Sequence, residues 1–320
     1  MIIAKQLVSL VVMILCLGLV SQTALALTIS PVTLELNGDP GQTITGEIEL
    51  FNEQIETKNL FSTFENFEPS GETGSPKFTG EKIDLATWIK TDTSVSLESQ
   101  QTANIPYSIS IPSDATPGGY FSAIFWSEDN PELLEPGQVS IGGKLGVLVL
   151  LRVNGDIKEA AGISDFGFEE GSKVRTILPA TFSYRFKNDG ADRVVPLGDV
   201  VVTNIFGGIA TTLPANVSEG SVLPNSIRKF QTTWGTIITG EQASSFFTTA
   251  REQLANFHFG IYTAKLAVTY GDTNQIALDS FRFVFLPWQL LLLCIIGLAA
   301  LFGLLKVYNR YIIAKSKANS

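Results

Sequence analysis

Residues 43–51 read TITGEIELF. Ile44, Ile48 and Leu50 fall on one face, and Thr43, Thr45, Glu47 and Glu49 on the other. A period of two with one apolar and one polar side predicts a half-buried antiparallel strand. The signal continues in both directions. Upstream, residues 27–30 and 32–36 alternate in the same way, and NGDPG at 37–41 is a turn cluster. Downstream, residues 59–67 form a Phe-rich strand and 70–80 read as a Gly/Ser/Pro loop. Residues 85–89, LATWI, read as one helical turn or a short strand that plants Trp88 in a core. Residues 95–97, 104–111, 120–126 and 145–153 bring the count to about eight short strands divided by Gly/Pro turns, which predicts an immunoglobulin-like β-sandwich over residues 27–154.

After a joint at residues 155–162 the pattern repeats. Residues 182–186 end in the turn KNDG, and 200–205 lead into Gly207-Gly208, a hairpin turn. Residues 228–234, 260–270 and 276–285 are the later strands of a second immunoglobulin-like sandwich over 163–285. About residues 241–257 the alternation stops. There Phe246, Phe247, Ala250, Leu254 and Phe257 recur at helical spacing, which predicts an amphipathic helix packed over one end of the sandwich. The fold class is therefore all-β, two tandem sandwiches followed by one apolar helix.

That helix is residues 286–305, LPWQLLLLCIIGLAALFGLL, without a charge. About 20 residues at about 1.5 Å each reach about 30 Å, the hydrocarbon thickness of a bilayer. Its strongly apolar residues favour insertion by about 3 to 7 kcal/mol at most. Trp288 at one edge and Tyr308 and Tyr311 near the other are membrane-interface anchors. Lys306, Arg310, Lys315 and Lys317 follow with no acidic residue, so the positive-inside rule puts the tail, 306–320, in the cytoplasm and residues 27–285 outside. Residues 1–26 read as a signal peptide, with Lys5 as n-region, 7–20 as h-region and Ala24-Leu25-Ala26 as cleavage site; an uncleaved signal anchor is the alternative. The expected location is a cell membrane crossed once.

Residues 27–285 hold all 31 acidic residues and 17 of the 22 basic ones, a net charge of −14. So acidic a surface repels nucleic acid and other polyanions. Cys16 lies in the signal and Cys294 in the apolar helix, so the outer region has no disulfide and no thiolate site and depends on its hydrophobic cores. His258 is the only histidine, so any Ser–His–Asp triad would need it, and no Gly-x-Ser-x-Gly elbow accompanies it. Gly142-Gly143-Lys144-Leu145-Gly146 lacks the spacing of a phosphate loop and reads as a turn. Glu47 and Glu49 share a solvent-facing strand side, and Glu128-Asp129-Asn130-Pro131-Glu132 is an acidic loop without regular calcium-loop spacing. The expectation is no catalytic residue, no metal and no cofactor.

Within residues 120–126 the aromatic side chains suit a central strand, and Tyr120 and Trp126 are the candidate binding residues, stacking on a sugar or anchoring a partner. Two stretches carry a family resemblance. Ala86-Thr87-Trp88-Ile89, the run to Ile111-Pro112, and PGGYFSAIFW at 117–126 resemble the first domain of the WxL-interacting proteins and their relatives. These are bacterial surface proteins laid out as signal peptide, two immunoglobulin-like domains, membrane helix and basic tail. KNDG at 187–190, VLPNS at 222–226, FGIY at 259–262 and Tyr270-Gly271 resemble the second domain. The resemblance implies peptidoglycan contact by the first domain and host or partner proteins for the second. The insertion at 241–257 departs from the family, and Trp288-Gln289-Leu290 spells WxL only at the membrane boundary, where it reads as an anchor. The expected function is a non-enzymatic, membrane-anchored binding or scaffold protein, whose partners are the lipid bilayer and either cell-wall polymer or another envelope protein. The alternative is a chaperone-like assembly module that pairs an edge strand with exported subunits. That alternative requires an unpaired edge in the first domain with a basic anchor nearby, for which Lys144 and Arg152 are the candidates.

Overall fold

A computed structural model of the chain describes residues 27–130, 143–236 and 245–318; the expected signal peptide lies outside them. The chain divides between Gly155 and Asp156 into two compact units, with residues 68–77 and 117–119 grouped with the second. Both are β-sandwiches of the immunoglobulin-like kind.

In the first unit one sheet runs β1 (Leu27–Ser30), β3 (Thr43–Asn52), β8 (Thr102–Ser110), β6 (Ile89–Thr91). The other runs β2 (Thr33–Gly38), β10 (Lys144–Val153), β9 (Gly118–Ser127), β4 (Lys58–Ser70), β5 (Ser75–Phe78), with β7 (Ser94–Leu97) also on β4. β3 pairs with β8 over its whole alternating stretch, so Ile48, Leu50, Ile105 and Ile109 meet the inner face of the second sheet at Ile124, Trp126, Val147, Val149 and Leu151. Residues 85–89 resolve into both expected forms, a single turn α1 (Leu85–Trp88) followed by β6, and Leu85 and Ala86 are fully buried. The expected loop at 70–80 instead contains β5. Gly71 and Gly74 supply left-handed turn conformations at φ 57° and 78°. The returning strand is secured by Phe78, whose ring meets Phe67 at 6.1 Å and Phe125 at 4.8 Å. Asn52, fully buried, acts as a pin: its amide donates to the carbonyls of Glu56, Leu97 and Glu98, and its oxygen accepts from Gln54.

The second unit pairs a three-stranded sheet, β11 (Ala161–Phe168), β13 (Ala180–Asn188), β16 (Ser226–Trp234), with a five-stranded one, β12 (Val174–Arg175), β18 (Gln275–Phe285), β17 (Gly260–Tyr270), β14 (Leu197–Asn204), β15 (Ile209–Pro214). Its core is aromatic: Phe168 stacks on Phe182 at 4.9 Å and meets Phe283 edge-on at 4.8 Å. Buried Asn188 ties the turn after β13 to Val222 through its side chain. The helix α2 (Phe246–Ala255) is capped by Ser245, whose Oγ accepts from the Thr248 amide. Its orientation corrects the sequence expectation. Thr249, Ala250 and Gln253 are buried, while Phe247 and Leu254 face outward. Two residues after β18 the helix α3 (Trp288–Ala318) begins, and its stretch Trp288–Ile313 is the one helix among the described residues long and apolar enough to cross a membrane.

Candidate strand-pairing edge

β10 reads KLGVLVLLRV. Val147, Val149, Leu151 and Val153 are fully buried and fix which face of the strand meets the core. Its neighbour on one side is β9 and on the other β2, which runs parallel to it from Leu148↔Thr33 to Val153↔Gly38. The pairing stops at Leu148 because the chain preceding β2 belongs elsewhere: β1, ending at Ser30, is paired with β3 in the opposite sheet. Pro31 and Val32 carry the chain across, and Pro31 has no N–H to offer a ladder.

The consequence is an open edge. Leu148 N–H donates to the Val32 carbonyl at 3.0 Å, so it points toward β2. Backbone groups on a strand alternate in direction, so the N–H and C=O of Gly146 and Lys144 point the same way. Among the described residues no strand pairs with them there, although β1 passes close to β10 while paired with β3 in the opposite sheet. The outer face next to this edge is aromatic. The Phe125 ring covers Gly146 so closely that a Cβ there would sit 2.6 Å from it, and Phe125 meets Phe78 at 4.8 Å. The Phe121 ring continues the group at 5.9 Å from Phe67. Leu145, on the inner side, packs partly buried against the core. The arrangement offers hydrogen-bonding backbone between an apolar inside and a partly apolar outside, which suits an added strand.

The residues singled out in the sequence take other roles. Trp126 is 1% exposed and lies in the core, so its ring has no free face for a sugar or a partner; it is a packing residue. Tyr120 is half-buried, its ring 4.7 Å from Trp88 and its hydroxyl bonded to Thr116 Oγ1 at 2.8 Å and to the Thr116 carbonyl at 3.0 Å. Both point inward because even-numbered positions of β9 from 120 to 126 meet the core. Lys144 stands at the open edge, but its ammonium is paired with Glu65 at 3.3 Å and lies 5.7 Å from the Phe125 ring. Arg152 lies at the other end of β10, on the stretch already paired with β2. The two basic candidates are thus not brought together.

His258 is held in structure, its Nδ1 2.9 Å from the Asn256 carbonyl and its ring 4.7 Å from that of Trp234. Glu128 pairs with Lys58 at 3.0 Å; the rest of its acidic loop extends beyond the described residues. Among the described residues no group of three or more His, Cys, Asp or Glu is placed to hold a metal. Trp288 is exposed at the start of α3, and Tyr308 and Tyr311 are exposed along it. Sequence reading missed the open edge itself, because it arises from where β2 begins to pair and not from any residue type in β10.

No family model matches the chain, the WxL-interacting proteins included, and no curated protein matches it. Solved structures that resemble it include the class 5 fimbriae chaperone CfaA, with a TM-score of 0.40 and 9% identity, covering 82% of this chain and 100% of that one. The Salmonella enterica SafB chaperone, solved in complex with the SafA pilin, gives a TM-score of 0.34 and 12% identity, covering 83% of this chain and 99% of that chain. The Pseudomonas aeruginosa CupB2 chaperone gives 0.34 and 9%, covering 81% and 100%. At these scores the likeness carries no conclusion about function.

Proposed function

We propose that the chain is a non-enzymatic, membrane-tethered module that binds an extended segment of another envelope polypeptide by adding it as a strand along the leading half of β10. The observation that carries this reading is the open backbone edge at Lys144–Val147, bordered by the Phe125–Phe78 aromatic group. Strand addition takes its affinity from main-chain hydrogen bonds and its selectivity from alternate side chains. Here the inward side chains of the added strand would continue the apolar line of Leu145 and Val147. The tether is α3, read as crossing the membrane once with the two sandwiches outside. The reading is preferred to wall-polymer contact because Trp126 is buried in the core and Tyr120 is half-buried with its hydroxyl bonded to Thr116.

Photo-crosslinking on the full chain tests the proposal. With p-benzoylphenylalanine in place of Lys144, an adduct is expected whose partner peptide, by mass spectrometry, is an extended segment of alternating apolar residues. The same probe at Glu47, on the outer face of the opposite sheet, is expected to give none. Lys144→Pro removes one main-chain donor at the edge and should weaken capture about fivefold, the worth of about one hydrogen bond. Equal adducts at both positions, or capture unaffected by Lys144→Pro, would contradict strand addition.

A further inference from the structure

Three separate surfaces at one end of the second unit are apolar and open to solvent. The first is the junction of β18 with α3, where Leu286 and Trp288 are exposed. The second is the turn between β14 and β15. Asn204 pairs with Tyr262, and Tyr262 with Phe283, so the turn lies at the same end of the sheet as Phe285 and the start of α3. It carries Ile205, Phe206 and Ile209, and Phe206 is 93% exposed. The third is α2. Phe247, Arg251 and Leu254 stand at helical i, i+4, i+7 spacing and so share one face, with Phe247 71% and Leu254 65% exposed.

Single exposed apolar side chains are ordinary on a soluble surface. The organisation of α2 is not ordinary, because its polarity is reversed. The side turned to the protein holds Thr249, Ala250 and Gln253, the last 2% exposed, while Phe247 and Leu254 point out and Phe246 is half-buried. Gln253 explains the inward polarity: its Oε1 accepts from the Leu290 amide at 2.9 Å and its Nε2 donates to Gln289 at 2.5 Å. The Phe246 ring adds a contact with Trp288 at 5.8 Å. These bonds fix α2 to the first turn of α3, at the level where the apolar run begins.

We infer that the outer face of α2 and the β14–β15 turn are immersed in the headgroup–acyl boundary of the bilayer that α3 enters, so that the second unit is seated on the membrane at three points. The inference rests on the reading of α3 as the membrane span and goes beyond it, since a tethered domain need not touch the lipid. The lipid surface is the occupant because the Gln253 bonds and the Phe246–Trp288 contact hold α2 against the first turn of α3, at the level where the apolar run begins, with Phe247 and Leu254 turned outward there. Arg251, between Phe247 and Leu254, suits the same place, as an interfacial helix sets its apolar side chains below the phosphates and its cations among them.

The test uses the full chain, with Cys16 and Cys294 replaced by serine, reconstituted in phosphatidylcholine–phosphatidylglycerol vesicles. Nitroxide labels are attached in the single variants Phe206→Cys, Phe247→Cys, Leu254→Cys, Leu298→Cys and Leu278→Cys. Leu278 is an exposed apolar residue on β18 seven positions before Phe285, about 24 Å away along the strand. The expected result is an oxygen-to-nickel accessibility ratio at 206, 247 and 254 about fivefold or more above that at 278, approaching the value at 298. Water-like ratios at all three positions with a lipid-like ratio at 298 would overturn the seating and leave the span intact. Exclusion of both reagents at the three positions would also overturn it, because a protein surface would then cover them. A water-like ratio at 298 would overturn the span and the seating together.

Discussion

The phenol of Tyr184 is buried in the second core against Phe230, at 5.1 Å between ring centres, and among the described residues its hydroxyl has no hydrogen-bond partner. Burial holds its pKa well above the ordinary value for a phenol, and the neighbouring Arg228 charge only partly opposes this. The sign of the pH effect follows. From about pH 10 upward the unfolded chain releases this proton while the folded chain keeps it, so the unfolded state binds fewer protons and stability falls as pH rises. Tyr184→Phe is expected to raise stability by about 1 kcal/mol at pH 7, by removing an unsatisfied buried hydroxyl, and to flatten the decline above pH 10. Denaturant unfolding of both forms in detergent between pH 7 and 11 checks this; a loss of stability in the variant would show that the hydroxyl is bonded. Trp126 and Tyr120 teach the complementary lesson. An aromatic run on a strand reads the same whether it packs or binds, and only the facing of β9 decides.

At the scale of the element, Gly146 is the position on which the β10 edge depends. The Phe125 ring occupies the space a side chain would need. Gly146→Ala should therefore displace the ring and cost about 1–3 kcal/mol, and adding Phe125→Leu should restore part of the loss. Thermal or denaturant midpoints of the single and double variants measure it; an unchanged midpoint for Gly146→Ala would place the ring elsewhere. The elements that were legible in the sequence are those with unbroken alternation. β3, β8 and β17 each bury one side, and their period of two survives into the structure. β11 was not legible, because a bulge between Ile163 and Asp165 shifts the register and breaks the period in its middle. β15 was not, because it is an edge strand with both sides largely exposed and no apolar line to read. α2 was legible as a helix from its spacing, while its facing was not, since a helix that turns Gln253 to the protein and Phe247 outward inverts the usual assumption. The open edge left no composition signal, because it exists only where β1 and β2 part company across Pro31.

At the scale of the molecule, the two sandwiches and the terminal helix divide the work. The first unit presents the strand edge, the second is joined to α3 through Leu286 and Pro287, and the bonds of Gln253 stiffen that junction. Residues 27–285, at a net charge of −14, would favour a basic or neutral segment over a polyanion at the proposed edge. Amide hydrogen exchange of the full chain, alone and with its crosslink-identified partner segment, reads the state of the edge backbone itself. In the chain alone, the amides of Lys144 and Gly146 should exchange fast beside that of Leu148, which is bonded to Val32. With the partner segment bound, the same two amides should slow by about tenfold or more. Amides already protected in the free chain, or protection that appears on binding anywhere but along the leading half of β10, would contradict the account.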